Sequence, residues 1–501
     1  MHIGIDLGTT YSLASFVNAQ GVPALVPDMH VATDFRTASA AHVGPDLALI
    51  GRAVDDALTD DPALPIHRGF KSLMGSARVA GTDTAGRAWS AEALSALVLR
   101  KLLRDVDAHV GERIDSAVIT VPANFSDSQR KATQLAARLA GMATVHLVEE
   151  PIAAATFYGF SERAAEQTLL VYDFGGGTFD ATVLQIADGK VYVLATDGHN
   201  SLGGRRIDQL IVQLIEEEYR RVHRADISGD PAATEQMRRF AEDAKIALGT
   251  PGKSMVRKTL LVGGRALDFM LTRDALDRLV NPLIEESIET CARCLDGAAL
   301  HWGLIDRVLL TGGSSLLPQV ARRVAAVSQK RQDQILCKHP HQAVAYGAAL
   351  IAEARAGGAG AEPTIAVAPY HLGVRVRDPN TGQGRVEPLI KRNTPLPARH
   401  TATFYTTRPD QTRMIIDVAQ AKGANEVVES LGTVAFGPIR RPQKNYPIEI
   451  TLGYDSEGMV RITARDPLSG EALEREFSAG SDPALAQLAR EKSLVQSVRL
   501  G

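Results

Sequence analysis

An apolar strand that ends in Asp and breaks at once into glycine and threonine occurs twice in this chain. Ile3-Gly4-Ile5-Asp6-Leu7-Gly8-Thr9-Thr10 is the first copy, and Val171-Tyr172-Asp173-Phe174-Gly175-Gly176-Gly177-Thr178 is the second. Each runs into another strand pattern, residues 12–17 after the first and 180–185 after the second. A phosphate needs backbone N–H donors at close range, and glycine is the residue that lets the backbone come so near. The repeat predicts two matching lobes whose turns face each other across a cleft. A third turn, Thr311-Gly312-Gly313-Ser314, follows the apolar run 308–310 and precedes a helix expected near Pro318. It suits a nucleoside or α-phosphate contact at a helix N-terminus. A single turn of this kind reads equally as an ordinary tight turn with a solvated Asp. Three after apolar strands, two of them flanked by Asp and Thr, point to phosphate.

Carboxylates stand at the ends of these turns. Mg²⁺ takes oxygen ligands and keeps several waters when it bridges phosphates, so Asp6, Asp173 and Asp180 are the natural groups to organise a hydrated Mg²⁺ and an attacking water. Three carboxylates on one site repel unless a cation sits between them, which itself argues for metal. Glu242 and Lys245 share a helical face at i, i+3, which by spacing alone is a surface ion pair worth about 0.2–0.5 kcal/mol.

The 501 residues are too many for one core, and three or four compact units are expected. Residues 1–355 alternate strands and helices, as in an α/β fold; 117–121 is a strand, and 127–140 is helical after a polar start at Ser126. Ala356-Gly357-Gly358-Ala359-Gly360-Ala361 reads as a flexible linker. Beyond it, residues 372–377, 401–407, 414–419, 446–454 and 459–466 are short alternating segments separated by Pro, Gly and Asn, the pattern of an all-β sandwich. Residues 483–500 hold one short helical pattern.

A formal net charge of -3 gives no bulk attraction to nucleic acid or anionic membrane. Three cysteines fit a reducing compartment and no disulfide framework. The chain opens on a strand with no basic leader, and no apolar run approaches the roughly 18 residues a membrane helix needs, so a cytoplasmic protein is expected. Cys291-Ala292-Arg293-Cys294 has no second C-x-x-C and sits in a helical pattern, so structural thiols are expected in place of zinc. Cys337, His339 and His341 alternate; on a strand edge they would share a face and suit a transition metal, whereas a polar loop is the plainer expectation. Trp89 and Trp302 read as packing residues.

These segments together resemble the DnaK-type family of seventy-kilodalton heat-shock chaperones. The resemblance rests on IGIDLGTTYS at 3–12, FKSLMG at 70–75, AVITVPANFSDSQRKAT at 117–133, EEPIAAATFYGF at 149–160, LLVYDFGGGTFDATVL at 169–184, LGG at 202–204, EDAKIAL at 242–248, LLTGG at 309–313 and AVAYGAAL at 343–350. It continues with YHLGV at 370–374, PLIKRNTPLP at 388–397 and IEITLGYDSEGMVRITARD at 448–466, so nearly the whole chain is covered. The brief segment between Gly75 and Ala91 is most similar to the shorter, specialised bacterial members of the HscC type.

The resemblance implies an actin-like, duplicated two-lobe nucleotide-binding domain at 1–355 and an interdomain linker at 356–368. It further implies a β-sandwich peptide-binding domain at 369–480 and a short helix or tail at 481–501. It implies ATP/ADP with Mg²⁺ and K⁺, and a slow ATPase. Asp6, Asp173 and Asp180 would organise the metal and water. Lys71 would position the nucleophilic water and stabilise transferred charge. Glu150 would support metal-bound water and relay domain motion. Gly8, Thr9, Thr10, Tyr11, Gly175, Gly176, Gly177 and Thr178 would line the phosphates. Gly203, Gly204, Glu242, Lys245, Gly312, Gly313 and Ser314 would line the nucleoside side, with Glu242 and Lys245 as a polar clamp on ribose. Leu372, Val374, Val376, Phe404 and Met414 would line a channel for extended hydrophobic peptide; as residues alone they read equally as sandwich core. The implied partners are unfolded clients, a J-domain cochaperone and a nucleotide exchange factor.

The chain also departs from that pattern. Only about one helix follows Ser481, where the family has a helical lid, so fast peptide release is expected. Glu362-Pro363-Thr364-Ile365-Ala366 stands in place of a leucine-rich linker, so weakened coupling between the two ligands is expected. Leu316 replaces an adenine-stacking Arg, Gly249 a nucleoside-contacting Ser, and His146 the Arg that meets J-domains. Arg377 replaces an apolar residue that arches over peptide, and Tyr405 a small one. The leading expectation is an ATP-driven chaperone. The alternative is a nucleotide-gated binding module with weak interdomain coupling. A small-molecule kinase is disfavoured by the all-β region and Lys71.

Overall fold

The computed structural model describes residues 1–112, 114–162, 166–250, 252–357, 364–377, 384–476 and 483–501. Two six-stranded sheets carry the first two-thirds of the chain, and they are built alike. In the first, His2–Asp6 lies parallel to Ser116–Val121, which lies parallel to Val145–Glu149; on its other side it pairs antiparallel with Tyr11–Val17. In the second, Gln167–Phe174 lies parallel to Arg307–Thr311 and antiparallel to Phe179–Ala187. The inner strands are buried on both faces, as their unbroken apolar runs require. The duplicated two-lobe architecture read from the repeat is therefore present.

Each lobe has its own core, one around Trp89, Leu94 and Ile119 and one around Tyr172, Ile211 and Phe240. Two helices, Glu150–Glu162 and Ala343–Ala356, pack on one another behind the cleft. Their small residues allow this. A Cβ on Gly347 would stand 1.8 Å from the carbonyl oxygen of Ala153. Helix Asp127–Leu139 starts where Ser126 and Gln129 form a capping box. Cys291 and Cys294 are buried in helix Arg273–Gly297, and the Cys294 thiol donates to the Ala181 carbonyl at 3.2 Å, a structural role.

Two four-stranded sheets form the sandwich. One contains His371–Arg377 and Met414–Gly423 flanked by Gly384–Ile390 and Glu426–Phe436. The other runs Ala398–Tyr405, Pro447–Tyr454, Val460–Arg465 and Ala472–Glu476. Three of these strands escape the sequence pattern, and all three are edges. Gly384–Ile390 carries Pro388 opposite the bulge at Gly373, and Glu426–Phe436 is mostly exposed. Of the five expected channel residues, Leu372, Val374 and Met414 are buried in the core; Val376 and Phe404 are part-exposed.

The linker departs from expectation. Residues 358–363, including Glu362 and Pro363, lie outside the described residues. Thr364–Ile365 adds a sixth strand to the second sheet, parallel to Val191 and Tyr192. Ala366, Val367 and Ala368 are buried beyond it, in one apolar cluster with Ile152 and Val193 of the two-lobed part and Leu372 of the sandwich. A strand docks through its backbone N–H and C=O groups, so the lost leucines do not prevent it, and small side chains fill the space left.

The sandwich rests on both lobes. Asp197, buried on strand Lys190–His199, meets Arg392 at 3.2 Å and Lys422 at 4.0 Å from the sandwich, and Arg293 at 2.9 Å from its own lobe. On the other lobe, the Glu457 carboxylate accepts from His146 at 2.9 Å and meets Arg355 at 3.5 Å, and its carbonyl accepts from Arg130 at 3.0 Å. His146, which stands in place of the family's J-domain-contacting Arg, is thus engaged within the chain. Helix Pro483–Ser497 packs on helix Ala91–Val110, and Arg499–Leu500 pairs parallel with Leu47 and Ala48. Val495 and Val498 are fully buried in the first lobe's core, and Arg104 donates to the Leu500 carbonyl at 2.9 Å. Among the described residues no helix is long and apolar enough to cross a membrane.

Candidate active site

The two repeated turns meet. A Cβ on Gly176 would stand 2.1 Å from the Thr10 hydroxyl oxygen, and one on Gly177 2.8 Å from the Thr9 methyl. Only glycine permits that approach. Between the lobes opens a cavity of about 470 Å³, within the usual range for a nucleotide-sized ligand. Asp6, Gly8, Thr9, Thr10 and Tyr11 line it from the first lobe, and Asp173, Gly175, Gly176 and Thr178 from the second. Gly177, Gly203 and Asp180 stand behind this wall; Gly203 packs on the backbone of Gly176 and Gly177.

Lys71 and Glu150 meet in the cavity wall beside Asp6. Lys71 Nζ donates to Glu150 Oε1 at 2.8 Å, and both side chains are buried, with the ammonium 5.6 Å from the Phe125 ring centre. Lys71 lies in a 3₁₀ turn, Phe70–Leu73, and Glu150 opens the interlobe helix. The FKSLMG text gives no sign of this pair, because nothing in either segment names its partner.

Gly204, Glu242, Lys245, Gly312, Gly313 and Ser314 all line the cavity. The ion pair read from the spacing of Glu242 and Lys245 does not form. Glu242 pairs with Arg238 at 2.9 Å, and Lys245 reaches across to Asp208 at 2.7 Å. Asp208 on helix Gly204–His223 competes better because it approaches from a second helix, into the site. Ser314 Oγ donates to the Gly175 carbonyl at 2.8 Å, tying the third glycine turn to the second. Leu316 and Ile246 line the mouth at 48% and 58% exposure, and Gly249 lines it beside them.

Sequence reasoning missed Arg36, Arg205, Asp208, Ile246 and His341, all in the wall. Charged residues directly after LGG at 202–204 were the available signal for Arg205 and Asp208. His341 needed the fold: residues 337–341 form no strand edge, since the strand is Ile335–Leu336, and His339 packs on Phe157 and Tyr346 instead. Among the described residues no three His, Cys, Asp or Glu groups come close enough to bind a metal directly.

The carboxylates are under strain from their surroundings. Burial first, then the charge of Glu150, raises Asp6 to about 7 and Asp180 to about 8. Burial and Glu150, with Asp180 and Asp6, push Asp173 well above its ordinary value. Both Asp180 oxygens are buried without a hydrogen bond of good geometry, although the Asn124 backbone and Thr178 lie beside them. A cation would favour the ionised forms of these acids. With no direct protein cage among the described residues, the site fits a hydrated Mg²⁺ reached through water and phosphate oxygens.

Two like lobes, glycine turns closed on a cavity, buried acids and a lysine define an actin-like ATPase with an attached β-sandwich. The family model described as Hsp70 protein matches residues 2–493. The chaperone protein DnaK of Thermotoga neapolitana is 34% identical over 493 residues, covering 94% of this chain and 79% of its own length. That of Thermotoga maritima is 33% identical with the same coverage, and that of Thermosipho melanesiensis 32% identical, covering 94% and 78%. The chain belongs to the Hsp70 family. It is an ATPase that uses ATP and ADP with Mg²⁺, and an ATP-dependent chaperone in the general sense of that family.

Proposed function

We propose that the chain hydrolyses ATP slowly in the interlobe cavity and uses it to control binding of extended hydrophobic peptide by the sandwich. The observation that carries this reading is the linker strand. Thr364–Ile365 is hydrogen-bonded into the same sheet that presents Asp173 and the second glycine turn, and it leads directly into the sandwich. Closure of the cleft can therefore shift the sandwich through one continuous sheet. The docked linker also argues against the reading of two uncoupled modules.

The roles follow the chemistry. Backbone N–H groups of both glycine turns and the hydroxyls of Thr9, Thr10 and Thr178 bind phosphate oxygens. Asp6, Asp173 and Asp180 would hold Mg²⁺ and its waters, and the ion would supply neutralisation of phosphate charge. Lys71, held by Glu150, donates to the attacking water and to the transferring phosphoryl oxygens. Glu242 and Lys245 clamp the ribose; K⁺ would share the acidic end. Val376 and Phe404, the part-exposed members of their set, contact peptide first. The division of labour falls at 1–355, 356–368, 369–480 and 481–501.

Among the described residues, helix Pro483–Ser497 after the sandwich packs on the first lobe, which supports a likeness to the shorter HscC-type members. A J-domain at His146 would have to displace Glu457. An exchange factor and a cytoplasmic location complete the reading. The test is single-turnover hydrolysis with Mg²⁺. Lys71→Ala should lower the rate by about 10²–10³-fold while ATP still binds. Equal rates for the two proteins contradict the mechanism.

A further inference from the structure

Among the described residues, four Lys and Arg side chains line the cavity, and three of them are matched. Lys71 has Glu150 at 2.8 Å, Lys245 has Asp208 at 2.7 Å, and Arg36 has Asp34 at 3.8 Å while lying over the Tyr11 ring. Arg205 is different. Among the described residues no carboxylate lies within ion-pair distance of it, and its side chain makes one long hydrogen bond, 3.4 Å to the Gly69 carbonyl. Arg238 repels it, and the nearby Asp208 is already held by Lys245. A part-buried guanidinium without a counter-charge is costly unless a ligand supplies one.

Its position says which ligand. Arg205 is the second residue of helix Gly204–His223. The first two N–H groups of that helix are consumed by the second glycine turn, Gly204 N–H donating to Gly175 at 3.0 Å and Arg205 N–H to Gly176 at 2.8 Å. The helix start therefore presents the cavity with a side chain. That side chain crosses from the second lobe to the first and lies flat on Gly69, two residues before Lys71; a Cβ on Gly69 would stand 1.8 Å from Arg205 Nη1. The guanidinium thus spans the cleft between the turn that binds phosphate and the loop that carries the reaction-end lysine.

We propose that Arg205 is a specificity-determining residue for the terminal phosphate: it pairs with that group when ATP is bound and loses its partner when phosphate leaves. A planar fork suits a phosphoryl group. Arg205 then reports ATP against ADP from a helix of the second lobe while touching the first, so its engagement draws the lobes together only when the terminal phosphate is present.

This rests on the reading of the cavity as the ATP site. The test uses the full chain with Mg²⁺ and measures stopped-flow association and dissociation of ATP and of ADP, faster than turnover. Arg205→Gln should weaken ATP by roughly ten- to a hundredfold and ADP by less than about threefold. Arg205→Lys should fall between, keeping charge and losing the fork. Equal losses for ATP and ADP would mean a plain interlobe latch and overturn the proposal, as would no loss. In either case ATP binding by the unmutated chain leaves the site reading intact; a wild-type chain that binds neither nucleotide overturns both.

Discussion

At the scale of single residues, the buried acids set a pH signature. Without metal or nucleotide, the folded protein keeps protons on Asp6 and Asp180 up to about 7 and about 8, whereas the unfolded chain releases them near pH 4. The folded state then binds more protons between those limits, so these groups make stability fall as pH rises through that window. Mg·ADP favours the ionised forms, so binding near pH 6.5 should release protons, and at pH 9 should release almost none. Calorimetry in buffers of different ionisation enthalpy reads this; a buffer-independent enthalpy at pH 6.5 contradicts it. At the mouth, Leu316→Arg should restore stacking on the base and tighten nucleotide by about 1 kcal/mol, roughly fivefold in Kd. Asp6, Asp173 and the glycine turns were legible because glycine beside Asp at a strand end has few other uses. Arg205, His341 and the Lys71–Glu150 pair were not, because each depends on which distant loop faces it.

At the scale of elements, glycine and periodicity made the lobes' central strands readable, and the sandwich edges escaped for a physical reason. An edge strand has one neighbour and one wet face, so Glu426–Phe436 has no need of clean alternation. The pairing of the linker was not legible, because it is made through the backbone and not through the side chains that the sequence shows. Thr364–Ile365 docks by backbone, and Ala366 is 7% exposed behind it. Ala366→Asp would bury an unpaired carboxylate there. It should leave ATP binding within about twofold and remove the effect of ATP on peptide release. Retained coupling in that variant would show that the linker strand is not the transmitting element.

At the scale of the molecule, the sandwich is held at Asp197, at Glu457 and by the tail's return to the first lobe. The tail's helical pattern was visible in sequence; its destination was not, since Val495 and Val498 complete a core begun some 400 residues earlier, around Trp89 and Leu94. Val495→Ala and Val498→Ala should each cost about 1–2 kcal/mol, read by urea unfolding of the full chain. Asp197→Asn should loosen the sandwich from the second lobe and raise the radius of gyration in small-angle scattering; an unchanged profile would show that the remaining contacts suffice. These contacts hold the sandwich on the lobes across which the proposed coupling through the shared sheet would act. The direct measurement is the dissociation rate of a fluorescent hydrophobic peptide from the full chain with and without Mg·ATP. The coupled arrangement predicts release at least about fivefold faster with ATP; the same rate in both conditions would contradict it.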